Sequence, residues 1–317
     1  YGMRCVGPNC LGVVNTHPDV RMDGCFAESL PERGNIGFVS QSGALGGGIL
    51  NILKDLNLGF AQFISIGNQA DVNAETALEY WENDEDVKQI LLYMESIQDP
   101  ANFRKLATRI TKKKPILALK SGRSAAGASA ASSHTGSLAG ADKAAAALLH
   151  QSGIIREFSL KNLFATAKVF STCPIPKGDR VAIITNSGGP GIMATDAVCE
   201  YGMQMAKLTD ATKDKLRSFL PSAASVKNPV DMIASAPIEH YKQTLETVIA
   251  DENVDMIITI YLPFLGLKDI DVAKALMEIK AEHPEKPVIG VFMTKSEFFT
   301  KLSDMEVNMP FFMYAEE

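Results

Sequence analysis

One pattern occurs twice in this chain and constrains its fold more than any other feature. An apolar run ends in a polar turn closed by Ser-Gly, and a helical stretch follows: NIGFVSQSGALGGG from Asn35 and RVAIITNSGGPG from Arg180. VSQSG (Val39–Gly43) and ITNSG (Ile184–Gly188) take the same place in the two halves. A continuous apolar strand, a Gly-rich turn and a helix form the repeating unit of a parallel sheet covered on both faces. Around the first copy, strands at Asn35–Ser40, Ala61–Ile66, Val87–Met94 and Pro115–Leu119 alternate with helices. Asn73 caps the helix through Trp81, Asp99-Pro100 opens the one through Thr111, and Ser159 caps a later one. After the Pro-rich linker TCPIPKG (Thr172–Gly178) the alternation restarts. Strands at Arg180–Thr185, Met203–Lys207, Val254–Tyr261 and Pro287–Phe292 are separated by helices to Tyr201, from the Thr209 cap through Phe219, from about Pro237, and over Asp269–His283. The expected class is α/β, with two flavodoxin-like doubly wound parallel-sheet domains in tandem, over 34–173 and 174–317. Residues 1–33 are too short for a domain; they read as a strand, a Gly-Pro-Asn turn and, from Thr16 to Gly34, a polar connection without period. The chain opens on Tyr1 rather than Met, which points to a fragment of a longer protein.

Composition narrows the function classes. The 317 residues are 46% hydrophobic and 21% charged, which suits two water-soluble globular domains. Net charge is -6 with basic residues dispersed, which argues against nucleic-acid and membrane-surface partners. No apolar run approaches the ~20 residues of a membrane span. The five cysteines are odd in number and form no CxxC pair, so neither a disulfide framework nor a zinc site is indicated, and a cytoplasmic location is expected. His17, His150, His240 and His283 show no metal-ligand spacing.

The stretch Lys120–Gly140, KSGRSAAGASAASSHTGSLAG, is almost wholly Gly, Ala and Ser around one imidazole, His134. It reads as a mobile loop, with a helix beginning at Ser137, so that His134 precedes a helix N-terminus. A histidine that accepts a phosphoryl group needs such an arm and nearby N–H donors. The same composition also fits a plain linker with an incidental His. Glu95 follows the apolar run ILLYM at the carboxyl edge of the sheet, where open α/β folds place ligands. It could accept from Nδ1 of an imidazole and leave Nε2 as nucleophile, or it could be a solvated strand-end carboxylate. Ser40, Gln41, Ser42 and Gly43 form a turn suited to phosphate or carboxylate, though Gly46, Gly47 and Gly48 also permit close helix packing. Asn186, Ser187, Gly188 and Gly189 repeat that geometry and serve equally as a tight turn. Asn68 in SIGNQADV could donate to a ligand or belong to turn chemistry. Met193, Met203 and Met205 read as core.

These motifs carry a family resemblance. SQSGA, SIGNQADV, YMES, SGRSAAG, SSHTGSLAG, NSGGPG and KNPVD, in this order over nearly the whole chain, resemble the NDP-forming acyl-CoA synthetases, kin to succinyl-CoA synthetase. GPNCLG (Gly7–Gly12) resembles the end of that family's CoA-binding domain, so 1–33 would be its tail plus a linker. The resemblance implies that acyl-CoA and inorganic phosphate give an acyl phosphate and free CoA, with the phosphoryl group passing to His134 and then to ADP or GDP. Glu95 would steady His134, and Ser40–Gly43 would bind phosphate near the reacting centre. The second half would match the family's other subunit, with its NSGGPG turn facing the same site. Most of the CoA-binding domain and the whole ATP-grasp domain are missing from this chain. ATP, ADP and Mg²⁺ would therefore bind a further domain or a partner subunit, and an oligomer is expected. A related group fuses these domains to a lysine acetyltransferase and uses them to sense ligand; its members often lack the histidine. A flavin-binding flavodoxin would need an aromatic pair around the ring, which these turns lack.

Overall fold

In the computed structural model two compact units divide the chain, Tyr1–Ser171 and Thr172–Glu317. The structure describes residues 2–135, 142–264 and 266–317, except the side chains of 131–135. In the first unit the central strand is β3 (Arg33–Ser40). The units' other elements are numbered in chain order, beginning with β1 (Gly12–Asn15) and β2 (Met22–Cys25). After β3 come α1 (Gly43–Ile52), β4 (Phe60–Ser65), α2 (Ala74–Trp81), β5 (Gln89–Met94), α3 (Pro100–Ile110) and β6 (Ile116–Lys120). They are followed by α4 (Ala125–Thr135), α5 (Asp142–Gln151), β7 (Ile155–Glu157) and α6 (Leu160–Thr172). The sheet order is β2-β1-β4-β3-β5-β6-β7, parallel from β4 to β7. Numbered among themselves, the parallel strands run 2-1-3-4-5, the flavodoxin order.

Strand period explains the two cores. Phe38, Leu91 and Leu117 join the cluster under α1 and α6, with Ile49, Leu53, Leu163 and Phe164. Their neighbours Val39, Leu92 and Ala118 turn to the opposite face and pack with Leu78, Trp81, Phe103 and Leu149 of α2, α3 and α5. Each fully buried large side chain contributes about 1.5–3 kcal/mol. Of the run Gly46–Gly48 in α1, only Gly46 is demanded by packing: a Cβ there would lie 2.7 Å from Phe63 Cζ, whereas Gly48 has nothing within 4 Å.

Two expectations fail here. Thr16–Gly34 contains a strand, because β2 pairs antiparallel with β1, which in turn pairs antiparallel with β4. Residues 12–15 and 22–25 therefore belong to the first unit's sheet. Ala125–Thr135 is a helix, not a loop, and the backbone of His134 lies in its last turn. Alanine carries the best helix propensity, and Ser124 Oγ accepts from Gly127 N at 3.0 Å to start the helix. Whether a helix begins at Ser137 lies outside the described residues.

The second unit contains β8 (Arg180–Thr185), α7 (Gly188–Glu200), β9 (Gln204–Met205), α8 (Asp210–Phe219), β10 (Val230–Asp231) and α9 (Ile238–Ile249). It continues with β11 (Met256–Tyr261), α10 (Asp269–Glu282), β12 (Val288–Phe292), α11 (Ser296–Ser303) and β13 (Phe311–Phe312). The order is β10-β8-β11-β12-β13, with β9 on the same side of β8 as β10. The side chain of Asn228 fills the gap between those two short strands. Its Oδ1 accepts from Ile183 N at 2.9 Å, and its Nδ2 donates to Val181 O at 2.8 Å and Ala206 O at 3.0 Å. An amide group thus stands in for a peptide unit in the ladder. Of the methionines expected in the core, Met203 and Met205 pack against the cluster under α7, while Met193 is 44% exposed.

Candidate site at the carboxyl edge of the first sheet

Ser40 closes β3 fully buried, and its hydroxyl is used within the turn. Oγ donates to Ser42 O at 2.7 Å and accepts from Ser42 N at 3.2 Å. Ser42 is the N-cap of α1, with Oγ 3.3 Å from Leu45 N. Gln41 spans to the exit of β5. Its Nε2 donates to Ser96 O at 2.7 Å, and its Oε1 accepts from Glu95 N at 2.7 Å and Ser96 N at 3.0 Å. Its own backbone N donates to Tyr93 O. The side chains of Ser40 and Gln41 therefore hold the turn together. The donors left for an anion are the N–H groups of the first turn of α1, at Gly43 and Ala44, which have no intrahelical acceptor.

Gln41 thereby fixes the backbone of Glu95. That carboxylate is half-buried, and its Oε2 is sealed from solvent with no hydrogen-bond partner among the described residues. A buried polar atom without a partner costs about 1–3 kcal/mol, so this one marks a place to which a donor is to be brought. On the next strand Met94 pairs with Lys120, which puts Lys120 beside Glu95. Lys120 is only 3% exposed. Burial pushes its ammonium below the ordinary lysine range, partly offset by Asp142 and Glu95. Lys120 is a functional candidate that the sequence reading passed over. A lysine ending the apolar run ILAL at the ligand-bearing edge was the available signal.

Asn68 is exposed and accepts from Asn9 Nδ2 at 3.3 Å, while its backbone N donates to Pro8 O. The Gly7–Leu11 segment lies along this loop, and Leu11 N donates to Ser65 Oγ at 2.9 Å. Gly67 is required there: φ is +51° and a Cβ would come within 2.3 Å of Pro8 O. His134 has a described backbone at the end of α4, but its side chain lies outside the described residues.

The turn of the second unit repeats the construction. Thr185 Oγ1 donates to Ser187 O at 2.8 Å and accepts from Ser187 N at 2.9 Å, as Ser40 does. Asn186 clamps the exit of β11, donating to Leu262 O at 2.8 Å and accepting from Leu262 N at 3.0 Å. Ser187 makes no capping bond with its side chain, and Gly188 and Gly189 are exposed. A carboxylate already stands beside this helix N-terminus: Asp231 Oδ2 would lie 3.3 Å from a Cβ on Gly188. The two turns share a design, and in the second the Asp231 carboxylate stands at the helix start. Among the described residues no group of three or more His, Cys, Asp or Glu could hold a metal ion, and no helix is long and apolar enough to cross a membrane.

Both units match described protein families. The model of the succinyl-CoA ligase like flavodoxin domain matches residues 33–170, and that of the ligase-CoA domain matches 181–314. The alpha subunit of acetate–CoA ligase (ADP-forming) II of Pyrococcus furiosus is 44% identical over 92% of this chain and 64% of its own length. Acetate–CoA ligase (ADP-forming) of Methanocaldococcus jannaschii is 42% identical over 92% of this chain and 42% of its own. The chain thus spans about two fifths to two thirds of the length of these relatives. Among solved structures, PH0766 from Pyrococcus horikoshii OT3 is similar with a TM-score of 0.85 and 39% identity, over 99% of this chain and 68% of that one. The dinucleotide forming acetyl-coenzyme A synthetase 1 of Ca. Korarchaeum cryptofilum, in complex with phosphate and ADP, is similar with a TM-score of 0.91 and 30% identity over the same shares.

Proposed function

The chain belongs to the family of ADP-forming acyl-CoA synthetases, and on that premise we propose that it forms the phosphoryl-accepting part of such an enzyme. The observation that carries the reading is the unpartnered Oε2 of Glu95, held at the carboxyl edge by the Gln41 clamp. A phosphate oxygen attacks the acyl-CoA carbonyl, the carbon–sulfur bond breaks, and the thiolate leaves as CoA. Nε2 of His134 then attacks phosphorus, the acyl phosphate P–O bond breaks, and the carboxylate leaves. ADP finally takes the phosphoryl group from the imidazole as the N–P bond breaks. Glu95 accepts the Nδ1 proton as a hydrogen bond, fixes the tautomer, and stabilises positive charge on the ring as it is phosphorylated. The N–H groups of Gly43 and Ala44 hold phosphoryl oxygens, and Ser42 and Asn68 are further contacts. Ser40 and Gln41 shape that turn. The turn at Asn186–Gly189 is a second phosphate contact in this reading, with Asp231 opposing it. CoA is a substrate. The nucleotide and its Mg²⁺ bind an ATP-grasp domain or partner subunit in this reading, and the alpha-subunit name of the Pyrococcus furiosus relative supports a partner chain. A cytoplasmic location follows from these substrates.

Labelling tests this reading. The full-length protein, incubated with acyl-CoA and radioactive phosphate, should take up label that is acid-labile and base-stable. His134→Asn should abolish both label and net ATP formation. Label that persists in this variant would move the phosphoryl group to another residue.

A further inference from the structure

Phe158 follows β7 and is 57% exposed, yet two guanidinium groups lie over its ring, Arg123 at 5.2 Å and Arg156 at 5.0 Å from the ring centre. The two arginines serve opposite ends of the segment that carries His134. Arg123 stands two residues before α4, and its Nη2 also donates to Phe158 O at 3.3 Å. Arg156, on β7, donates through Nη2 to the carboxylate of Asp142, the first residue of α5. One ring thus meets the chain where it enters α4 and, through that ion pair, where it enters α5. Little else among the described residues secures α4. Residues 125–130 are exposed or half-buried, so this stretch has no apolar face packed on the sheet, the usual source of a helix's stability. The helix is held at its start, by Gly127 N on Ser124 Oγ and by Arg123 on Phe158. Beside the stack, a cavity of about 590 Å³ reaches from Arg123 and Phe158 to Leu45, in the first turn of α1, and to Tyr93, two residues before Glu95. The root of α4 therefore shares a cavity with the helix that offers N–H groups to a phosphoryl group.

We propose that Phe158 is a positioning residue for phosphoryl transfer: by holding Arg123 before α4, and Arg156 with Asp142 before α5, it sets where α4 presents His134 to the Glu95 edge. The inference rests on the reading of the chain as the phosphoryl-accepting part of an acyl-CoA synthetase, and it deepens that reading by naming what orients the acceptor. At the rise of an α-helix, His134 lies about 15 Å along the axis from Ser124. A tilt of about 10° at the root then moves the backbone of His134 by about 3 Å, and a misplacement of about 1 Å at a reacting group can cost about 10²-fold in rate. Cation–π contacts at an exposed ring are weak enough to be released when the phosphoryl group passes to the nucleotide.

Hydrogen exchange and phosphate labelling of the full-length protein test this together. Phe158→Leu keeps an apolar side chain and removes the ring. The backbone amides of 125–135 and 142–146 should then exchange about 5–30-fold faster, the worth of two exposed cation–π contacts. Phe158→Tyr keeps the ring and should exchange as the wild type does. Labelling of His134 from acyl-CoA and radioactive phosphate should slow by at least the same factor in Phe158→Leu, with KM for acyl-CoA and the unfolding midpoint unchanged, and should be normal in Phe158→Tyr. Equal exchange in wild type and Phe158→Leu, or a Phe158→Tyr variant as impaired as Phe158→Leu, overturns the proposal. If Phe158→Leu does not fold, Arg123→Gln decides: exchange should quicken over 125–135 and not over 142–146, and unchanged exchange over 125–135 overturns the proposal. Faster exchange in Phe158→Leu without any labelling of the wild type upholds the clasp and defeats the enzymatic reading alone. Labelling of wild type and Phe158→Leu at one rate defeats the positioning role alone.

Discussion

Glu95 and Lys120 lie at the ends of neighbouring strands, and among the described residues one has a carboxylate oxygen without a donor and the other an ammonium that forms no ion pair. Neither side chain adds packing that a neutral isostere would lose, so both can be tested without dismantling the sheet. Glu95→Gln keeps shape and an acceptor oxygen but removes charge. Phosphorylation of His134 in the full-length protein should slow by about 10²–10⁴-fold, with acyl-CoA affinity unchanged. An equal loss in affinity, read from KM against kcat, would make Glu95 a ligand rather than a dock. Gln41 acts through Glu95. Gln41→Ala strips the acceptor from Glu95 N and Ser96 N. It should cost about 1–3 kcal/mol in denaturant unfolding, because two partly buried N–H groups lose their partner. An unchanged denaturation midpoint would show that the clamp is dispensable.

Among the elements, two ties hold neighbours whose sequences carry no mutual signal. Arg109 of α3 donates through Nε to Glu82 Oε1, at the end of α2, at 2.7 Å, and Lys113 adds a second cation at 3.2 Å. The Arg109 guanidinium holds the Glu82 carboxyl at about 2, from the ordinary 4.5. A depressed carboxylate stabilises the fold fully above its unfolded pKa, and that contribution is lost as pH falls through the folded value. Between about pH 5 and 2 the wild type should lose on the order of 1–2 kcal/mol from this pair, a figure reduced for the exposure of both cations. Glu82→Gln should flatten that part of the pH profile; a parallel profile would rule out the linkage. In the second unit, Asn228→Ala opens the ladder between β9 and β10 and leaves Ile183 N without its acceptor. A loss of about 2–3 kcal/mol is expected in thermal or chemical unfolding, and a change below 0.5 kcal/mol, the range of ordinary surface substitutions, would mean that water replaces the amide.

At the scale of the molecule each unit owns its cores. Residues 172–317 build one around Tyr241, Tyr261 and Phe292 and another around Val181, Ile183 and Val198. Expressed alone, 172–317 should therefore unfold cooperatively with heat; a gradual, non-cooperative loss of structure would show that this unit depends on the other. The sequence by itself determined the two-unit α/β plan, because long apolar strands and their caps are local signals. Asn73, Asp99, Ser159 and Thr209 all cap helices as the residue types require. It also marked both Ser-Gly turns and the edge that carries Glu95. Only the tertiary structure decided the rest. β2, β9, β10 and β13 have two to four residues each, too few for a period, and exist because a neighbouring strand offers them a free edge. In the Ala-rich run before His134 the local signal was present but was overruled by the loop-like Gly and Ser, although alanine's helical preference prevails in the fold. Gln41 as a clamp and Lys120 as a buried cation were invisible because a side chain's partner is set by residues some fifty positions away or on the next strand, which no local pattern encodes.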